Sequence, residues 1–307
     1  MPYRYALLAP SRSEDASEIN EPFLAEPCFG IEVTEAELAA RCTLGNLDPQ
    51  HSGGKPDVAA IEAALEAPLP PFGSTLVTLR PDADAYGAMG VLTLRARNHS
   101  LSSEARLRID LVGSADRFNR GTWPGRQPLF SSGEPGQEPC AGSLALQRIS
   151  ALIADRRTQI GDGVRAVMNW IELGHLQVPV QAAIAGGSEE LRRRVADGEV
   201  KIYEALPLRI AVVEGAWPAL TLGYRLAPIV VAVNPSFGVG GGPTYRKITI
   251  AQYEPRWVNL SKVLSDLTVK ESGWGGSKTI IGSPQGIDCR SSLQECIDAV
   301  VRHLEVV

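Results

Sequence analysis

The stretch STLVTLRPDADAYGAMGVLTLRAR, residues 74–97, carries the strongest secondary-structure signals in the chain. Its first part, Ser74 to Arg80, is a run of β-branched and apolar residues and predicts a buried strand. From Ala85 to Arg97 the apolar residues recur at helical spacing and predict a helix. A strand, a turn and a helix in this order are typical of an α/β fold built on a parallel sheet.

Helical patterns surround this unit in the N-terminal half. An Ala-rich segment, Asp57 to Glu66, predicts a helix that Pro68 stops before the strand begins. Ser103 to Val112 and Gln147 to Leu173 also predict helices, the latter broken around residues 156–163. We therefore expect a first domain over residues 1–187, mainly a parallel α/β sheet.

The pattern changes near residue 187. Ser188 is expected to cap a basic helix, EELRRRVADGE, after which short apolar strands follow closely. These strands are predicted at 200–205, 209–213, 228–233, 246–252 and 279–282, with helices at 258–267 and 292–304. Residues 188–307 thus predict a smaller α/β domain, and the cleft between two such domains is where small ligands usually bind.

Composition excludes several classes of protein. The chain has 307 residues, 44% of them hydrophobic, which is ample for a packed core. No apolar run has the length of a membrane span or a signal peptide, so we expect a cytoplasmic protein without membrane contact. The net charge of -5 disfavours a long nucleic-acid duplex as partner. Five cysteines without a Cys-x-x-Cys pair indicate buried thiols.

The turn RPDADAYGAM places Asp82 and Asp84 directly after the predicted strand. In a parallel sheet this is the edge where ligands bind, and two nearby carboxylates suit Mg²⁺ or Mn²⁺. The alternative, that one Asp caps the helix and the other is solvated, stays open.

Two further segments carry candidate ligands. LGNLDPQHSGG, residues 44–54, offers Asp48 and His51 in a turn-rich setting, and His is the commonest metal ligand. SADRFNRGTWPG, residues 114–125, places Asp116 before Arg117 and Arg120, a combination that suits a metal beside a bound anion. A solvated histidine and a surface salt-bridge cluster are the open alternatives.

A glycine-rich turn, ESGWGGSKT, lies near the C-terminus at residues 271–279. Its Gly275, Gly276, Ser277 and Lys278 are candidates for cradling an anion with backbone N–H groups. The spacing does not fit a nucleotide-binding P-loop, because Ser277 stands where that motif needs glycine before lysine.

The C-terminal half resembles the DHH-associated domain of the DHH phosphoesterase superfamily. The resemblance rests on the order of RKITIAQY, NLSKVLSDL, the GWGGS turn and TIIGS. In that domain a strand and a helix precede a glycine-rich GGGH turn, and the domain binds the phosphate end of the substrate. Ser277 replaces the histidine of that turn here.

The N-terminal half resembles the same superfamily in RPDADAYGA, which is similar to its first motif, Asp-x-Asp followed by Gly and a small residue. Asp82 and Asp84 match the carboxylates that hold Mn²⁺ in the family, and Asp116 resembles the lone Asp of the second motif. The histidine that usually precedes the first motif is absent, with Thr78 near its place. The Asp-His-His signature is also absent. The most similar stretch is DPQH at residues 48–51, which lies before the first motif in the chain and not after it.

The resemblance implies a metal-dependent phosphoesterase-like hydrolase that acts on a small nucleotide or another phosphate-containing anion. The implied cofactor is Mn²⁺ or Mg²⁺, held by Asp48, His51, Asp82, Asp84 and Asp116. Asp82, Asp84 and His51 are the expected catalytic residues, and Arg117, Arg120, Gly275, Gly276, Ser277 and Lys278 the expected substrate contacts. A non-catalytic binding or regulatory protein on the same fold is the alternative, and a hydrolase or transferase of another substrate is a third.

Overall fold

The computed structural model describes the chain except for residues 1, 12, 52–53, 56, 118–119, 121, 131–140, 156–157, 177–180, 217–219, 239–242 and 306–307. The side chains of residues 141–144, 147 and 181–188 are also left undescribed. Cys140, one of the five predicted thiols, therefore lies outside the described residues.

The described residues form two compact units. Unit 1 comprises residues 2–116 and 141–185, and unit 2 comprises residues 117–130, 186–238 and 243–305. These units differ from the domain limits expected from the sequence in placing residues 117–130 with the C-terminal half. The limits 1–187 and 188–307 stay a prediction.

Unit 1 alternates short strands with helices along the chain. Its elements are β1 (Arg4–Leu7), α1 (Ala16–Leu24), β2 (Cys28–Ile31), α2 (Ala36–Arg41), β3 (Asn46–Leu47), α3 (Ala60–Ala63), β4 (Thr75–Thr78), α4 (Ala83–Ala96), α5 (Ser103–Asp116), α6 (Ala141–Ala154) and α7 (Ile160–Leu173). The next helix, α8 (Gln181–Ala196), contains the division between the units.

The four strands of unit 1 form a parallel sheet in the order β1-β4-β2-β3. The central strand β4 is buried along its whole length, since its side chains pack on both faces. Leu76 faces a core shared with α4, α5 and α7, and Val77 faces a second core that includes Leu24 of α1 and Leu38 of α2. Helices on both faces of a parallel sheet make unit 1 a doubly wound α/β structure.

Unit 2 contains a second sheet. Its elements after α8 are β5 (Lys201–Leu206), β6 (Ile210–Glu214), α9 (Leu220–Gly223), β7 (Ile229–Phe237), β8 (Tyr245–Gln252), α10 (Leu260–Lys270), β9 (Gly275–Gly276), β10 (Ile280–Gly282) and α11 (Leu293–Arg302). The strand order is β5-β6-β7-β8-β10-β9, in which β6 and β7 are parallel and the other pairs antiparallel.

The core of unit 2 explains why its strands are so apolar. On one face of the sheet, residues such as Ile229, Val231 and Ile250 pack against α10 and α11. On the other face Val213, Val230 and their neighbours pack around Tyr224. A strand that is buried on both faces needs an almost continuous apolar run, which is what β6 and the first half of β7 have.

The α/β class and the parallel first sheet are confirmed. Two local predictions are wrong. The helix expected from Asp57 is the single turn α3, because the Asp84 carboxylate accepts the amides of Ala60 and Ile61 and fixes the helix start there. Ser188 lies inside α8 and is not its first residue, since the alanines before it extend the helix back to Gln181.

The described part of the chain has no helix that is long and apolar enough to cross a membrane. Its four described cysteines, Cys28, Cys42, Cys289 and Cys296, are buried free thiols, as expected from their spacing.

Candidate metal centre

Acidic residues follow three adjacent strands of the first sheet. Glu32 comes directly after β2, Asp48 directly after β3, and Asp82 lies in the turn between β4 and α4. Because these strands are parallel neighbours, their carboxyl ends meet at one edge of the sheet. This is the edge at which open α/β sheets bind ligands.

Glu32 is held in an unusual backbone conformation. Its φ angle is 50°, in the left-handed region that residues other than glycine rarely adopt, and it is 4% exposed. The side chain of Asn46 fixes the following residue, accepting a hydrogen bond from the Val33 amide and donating one to the Val33 carbonyl at 3.2 and 3.0 Å. Strain of this kind persists where the surroundings enforce it and is frequent at functional sites.

Gly30 makes room for this arrangement. A Cβ atom at Gly30 would lie 2.4 Å from Oδ1 of Asn46. A side chain at this position would therefore push away the amide that fixes the turn after Glu32. The absence of a side chain at Gly30 thus supports both the packing of β2 on β3 and the turn after Glu32.

Asp48 and His51 are joined by two contacts. Oδ1 of Asp48 accepts a hydrogen bond from the His51 amide at 3.3 Å and lies 2.7 Å from Nδ1 of the imidazole. The Asp48 side chain is 2% exposed, whereas that of His51 is 48% exposed. The pair thus joins a buried carboxylate to a ring that solvent can reach.

Glu32, Asp48 and His51 form a possible cation site. Each offers one ligand atom, and these atoms all lie within 4.8 Å of one another. Two carboxylate oxygens with one imidazole nitrogen make a mixed donor set that first-row divalent ions accept. The residues present therefore fit a divalent cation.

Asp82 and Asp84, predicted as metal ligands and catalytic groups, lie beside this site and bond to backbone amides. Asp82 is the N-cap of α4 and accepts from the Ala85 amide at 2.9 Å. The two oxygens of Asp84, which is 2% exposed, accept from the Ala60 and Ile61 amides at 2.8 Å each. Their roles toward a metal stay a prediction.

Asp116, at the end of α5, approaches the same edge. Its Oδ2 accepts a hydrogen bond from Nε2 of Gln50, which lies in the turn between Asp48 and His51, at 2.6 Å. This contact connects the DPQH turn with the end of a helix distant in sequence. The structure thus brings Asp116 to the turn that carries Asp48 and His51, and the roles of these three residues toward a metal stay a prediction.

The carboxyl edge of the first sheet is crowded with acidic residues, and the pKa values of three of them are raised. Burial raises the pKa of Glu32 well above its usual range, and repulsion from Asp84 and other nearby carboxylates raises it further. Burial also raises the pKa of Asp84, with added repulsion from Asp116. Burial raises the pKa of Asp82 as well, and Arg80, 3.9 Å away, offsets part of that rise. A bound cation would relieve this crowding of like charges.

The predicted anion-binding residues lie in unit 2. The Arg117 carbonyl accepts from the Thr279 hydroxyl, and the Arg120 amide donates to the Tyr253 carbonyl at 3.0 Å. These bonds place both arginines near the strand ends that carry the glycine-rich turn. The structure thus brings Arg117, Arg120 and Lys278 into one region of unit 2.

The glycine-rich turn is a tight hairpin between β9 and β10. The Ser277 amide donates to the Ile280 carbonyl at 2.7 Å, so this N–H is engaged within the turn. Gly276 has a φ of 144°, and a Cβ there would lie 2.2 Å from the Ile280 oxygen. Glycine is therefore required by the hairpin itself, and anion binding by Gly275 to Lys278 stays a prediction.

Sequence reasoning missed Glu32. Its position after CFGI, a short buried strand, was the available signal, but four residues with a cysteine and a glycine do not form a recognisable strand pattern. Its partners come from β3 and from the turn after it, so no local spacing reveals the group.

No protein-family model matches the chain, and no curated protein matches its sequence. Among solved structures it is similar to PggH, a pGpG-specific phosphodiesterase from Vibrio cholerae. The two share 10% sequence identity with a TM-score of 0.35, over 84% of this chain and 92% of that one. A likeness at this level carries no conclusion about activity, and the functional assignment rests on the site.

Proposed function

We propose that the chain is a divalent-cation-dependent hydrolase of phosphate esters, with its reaction centre at the carboxyl edge of the first sheet. The observation that carries the proposal is the group of Glu32, Asp48 and His51, whose ligand atoms lie within 4.8 Å of one another. The resemblance of RPDADAYGA and of the C-terminal half to the DHH superfamily supports the choice of phosphate esters.

The donor set favours Mn²⁺ over Mg²⁺. Carboxylates suit both ions, whereas an imidazole nitrogen suits softer ions than Mg²⁺. A divalent ion bound there would supply a hydroxide at neutral pH by lowering the pKa of a bound water.

The chain's own residues would orient the His51 imidazole and exchange its proton with solvent. The buried Asp48 carboxylate fixes the His51 ring through Nδ1, which leaves Nε2 for a ligand or a proton. The exposed face of the imidazole allows exchange of that proton with solvent. The family resemblance gives Arg117, Arg120 and the turn at Gly275–Lys278 a role in binding phosphate, and that role stays a prediction.

The test begins with metal analysis of the purified full-length chain, followed by hydrolysis of bis(4-nitrophenyl) phosphate with added Mn²⁺, Mg²⁺ or Zn²⁺. We expect stoichiometric Mn²⁺ and Mn²⁺-dependent hydrolysis. Glu32→Gln should lose both, because it removes a buried charged ligand while keeping the shape of the side chain. Glu37→Gln is the matched control, since Glu37 is an exposed glutamate on α2.

Three results would overturn the proposal. The first is a wild-type protein that binds no divalent ion. The second is hydrolysis that persists after chelation, and the third is a Glu32→Gln variant that retains wild-type metal affinity. Circular dichroism of each variant separates loss of metal from loss of fold.

One observation favours a second candidate, a non-catalytic binding protein on the same fold. Both oxygens of Asp84 and one of Asp82 serve as backbone acceptors, so the Asp-x-Asp carboxylates already have structural partners. Metal binding without hydrolysis of mono- or diesters would support this candidate. Turnover that depends on Glu32 would exclude it.

A further inference from the structure

The connection between α3 and β4 contains a proline-rich segment. Residues 67–72 read APLPPF and lie outside any helix or strand. A proline ring fixes φ near about -65°, and the residue before a proline is restricted to extended backbone. Every position from 67 to 71 is a proline, precedes one, or both. The segment therefore favours the polyproline II (PPII) conformation.

Burial along this segment repeats every three residues, which is the period of a PPII helix. Ala67 and Pro70 are buried. The residues between and after them are exposed, namely Pro68, Leu69, Pro71 and Phe72. Because a PPII helix has three residues per turn, residues i and i+3 share one edge. The edge of Ala67 and Pro70 faces the protein, and the other two edges face solvent.

Three side chains hold the segment in place through its carbonyl groups. Nη1 of Arg95 donates a hydrogen bond to the Ala67 carbonyl at 2.7 Å. The Tyr3 hydroxyl donates to the Pro70 carbonyl at 2.9 Å, and the Ser74 hydroxyl donates to the next carbonyl at 2.6 Å. A segment fixed in this way loses little conformational entropy when a partner binds it.

The solvent-facing edges offer both apolar surface and hydrogen-bond acceptors. Phe72 is 74% exposed and Leu69, on the same edge, is 42% exposed. The Phe72 ring lies 6.5 Å from the Tyr3 ring, centre to centre, which gives it one apolar neighbour. Among the described residues, none donates a hydrogen bond to the carbonyl of Pro68 or of Leu69. Aromatic residues are enriched where proteins bind one another.

The proline-rich segment lies at the opposite edge of the first sheet from the candidate metal centre. It leads into the start of β4, and the Gly73 amide after it donates to the Pro2 carbonyl, just before β1, at 2.7 Å. The strands are parallel, so this is the amino edge of the sheet. Glu32 and Asp48 follow the carboxyl ends of their strands. A protein bound to the segment would leave the carboxyl edge open.

We propose that residues 67–72 are a docking site for a partner protein that has a groove lined with aromatic side chains. Grooves of this kind bind PPII segments because the helix is already formed before binding. A three-edged helix that lies in a groove contacts it with two edges, so the third edge can stay packed on its own protein. The exposed edges here supply the proline, leucine and phenylalanine surface, and the carbonyls of Pro68 and Leu69 supply the acceptors.

Binding of purified SH3, WW and EVH1 domains to the immobilised full-length chain tests the proposal, since each has a groove for PPII segments. We expect saturable binding of at least one domain below millimolar concentration. Phe72→Ala and Pro71→Ala should each weaken it at least about 10-fold, because both remove exposed contact surface. Leu107→Ala, in an exposed leucine of α5, and Pro124→Ala, in an exposed proline of unit 2, are the controls and should bind as wild type.

A synthetic peptide of residues 66–73, EAPLPPFG, separates the sequence of the segment from its presentation. The folded chain should bind the same domain more tightly than the peptide does, because its hydrogen bonds order the segment in advance. Binding of the peptide without binding of the folded chain would show that the segment is inaccessible, and the inference would then be wrong.

Three further outcomes would overturn the inference. They are the absence of saturable binding by all three kinds of domain, equal binding by Phe72→Ala and Leu107→Ala, and self-association of the wild type that Phe72→Ala abolishes, which would make a second copy the partner. Circular dichroism shows that each variant is folded. Glu32→Gln should lose metal and still bind the domain, so this inference and the proposed function can fail separately.

Discussion

Nδ1 of His51 lies 2.7 Å from Oδ1 of Asp48, and the same oxygen accepts the His51 amide at 3.3 Å. The carboxylate is buried and the imidazole is half exposed. Two contacts from one oxygen hold both the backbone and the ring of His51, so the turn presents Nε2 in a fixed direction. A histidine that was merely solvated would not need such restraint.

We expect His51→Gln to lower Mn²⁺ affinity at least about 10-fold, because even the loss of an outer partner of a metal ligand typically costs about 10- to 100-fold. Titration of the metal-free protein with Mn²⁺ measures this. His175→Gln is the control, since His175 is an exposed histidine of unit 1. Equal affinity in the two variants would make His51 an ordinary turn residue.

Strands of the two sheets differ in how well the sequence predicts them. β7 and β8 are rich in valine, isoleucine and threonine, and their pattern locates them to within a few residues. β1 and β2 are four residues each, RYAL and CFGI, and carry no such pattern. They are strands because β4 lies between them and offers its backbone to both. Nonlocal pairing of this kind is invisible in a single sequence.

The candidate site likewise contains residues that the sequence predicts and one that it does not. Asp48, His51 and Asp82 lie in glycine- and proline-rich turns, and polar side chains in such turns are recognisable from the sequence as candidate ligands. Glu32 is marked by its left-handed backbone and by Asn46, and both depend on the neighbouring strand β3.

Glu295 gives the chain a pH-dependent stability that acts far from the candidate metal centre. Hydrogen bonds from the Ser292 amide and hydroxyl and from Lys270 lower the pKa of Glu295 from its ordinary value of 4.5 to about 2. Because the folded pKa lies below the unfolded one, its contribution is complete above about pH 5 and is lost as pH falls toward about 2.

We therefore expect Glu295→Gln to lower the melting temperature at pH 7 and to lie closer to wild type at pH 3. The glutamine keeps a capping oxygen for the Ser292 end of α11 and loses the charge that attracts Lys270. Thermal unfolding at pH 7, 5 and 3 measures the difference. A gap between the two proteins that stayed constant with pH would contradict the assignment.

Gly87 sets how closely α3 packs on α4. A Cβ at Gly87 would lie 2.4 Å from Cδ1 of Ile61, which is fully buried. We expect Gly87→Ala to destabilise the protein, because overpacking costs about 1–3 kcal/mol and exceeds the gain of about 1 kcal/mol from helix propensity.

Gly161→Ala in α7 is the control, since the nearest atom to a Cβ there would be 3.7 Å away, an ordinary contact. Chemical denaturation of both variants gives the comparison. Equal stability of the two would show that Ile61 relaxes without cost and that the close approach of α3 to α4 is not required.

Asp84 and Asp82 differ in what their oxygens do, and this separates a structural from a metal-binding role. Asp84 uses both oxygens on the amides that begin α3, whereas Asp82 uses one on the first turn of α4. Asparagine is as good an N-cap as aspartate. At Asp84, however, the new amide would point a donor at a backbone donor inside the protein.

Asp84→Asn should therefore lower the free energy of unfolding by about 1–3 kcal/mol, the cost of a buried donor left without an acceptor, in the metal-free protein. Asp82→Asn should lie within about 0.5 kcal/mol of wild type under the same conditions. Urea denaturation in EDTA measures both, and repetition with Mn²⁺ adds the stabilisation that bound metal gives to the folded state. If Mn²⁺ stabilises Asp82→Asn as much as it stabilises wild type, Asp82 is a helix cap and holds no metal. If Asp84→Asn is as stable as wild type, the hydrogen bonds from the Ala60 and Ile61 amides are not required for folding. The wild-type Asp84 carboxylate could then bind a cation instead.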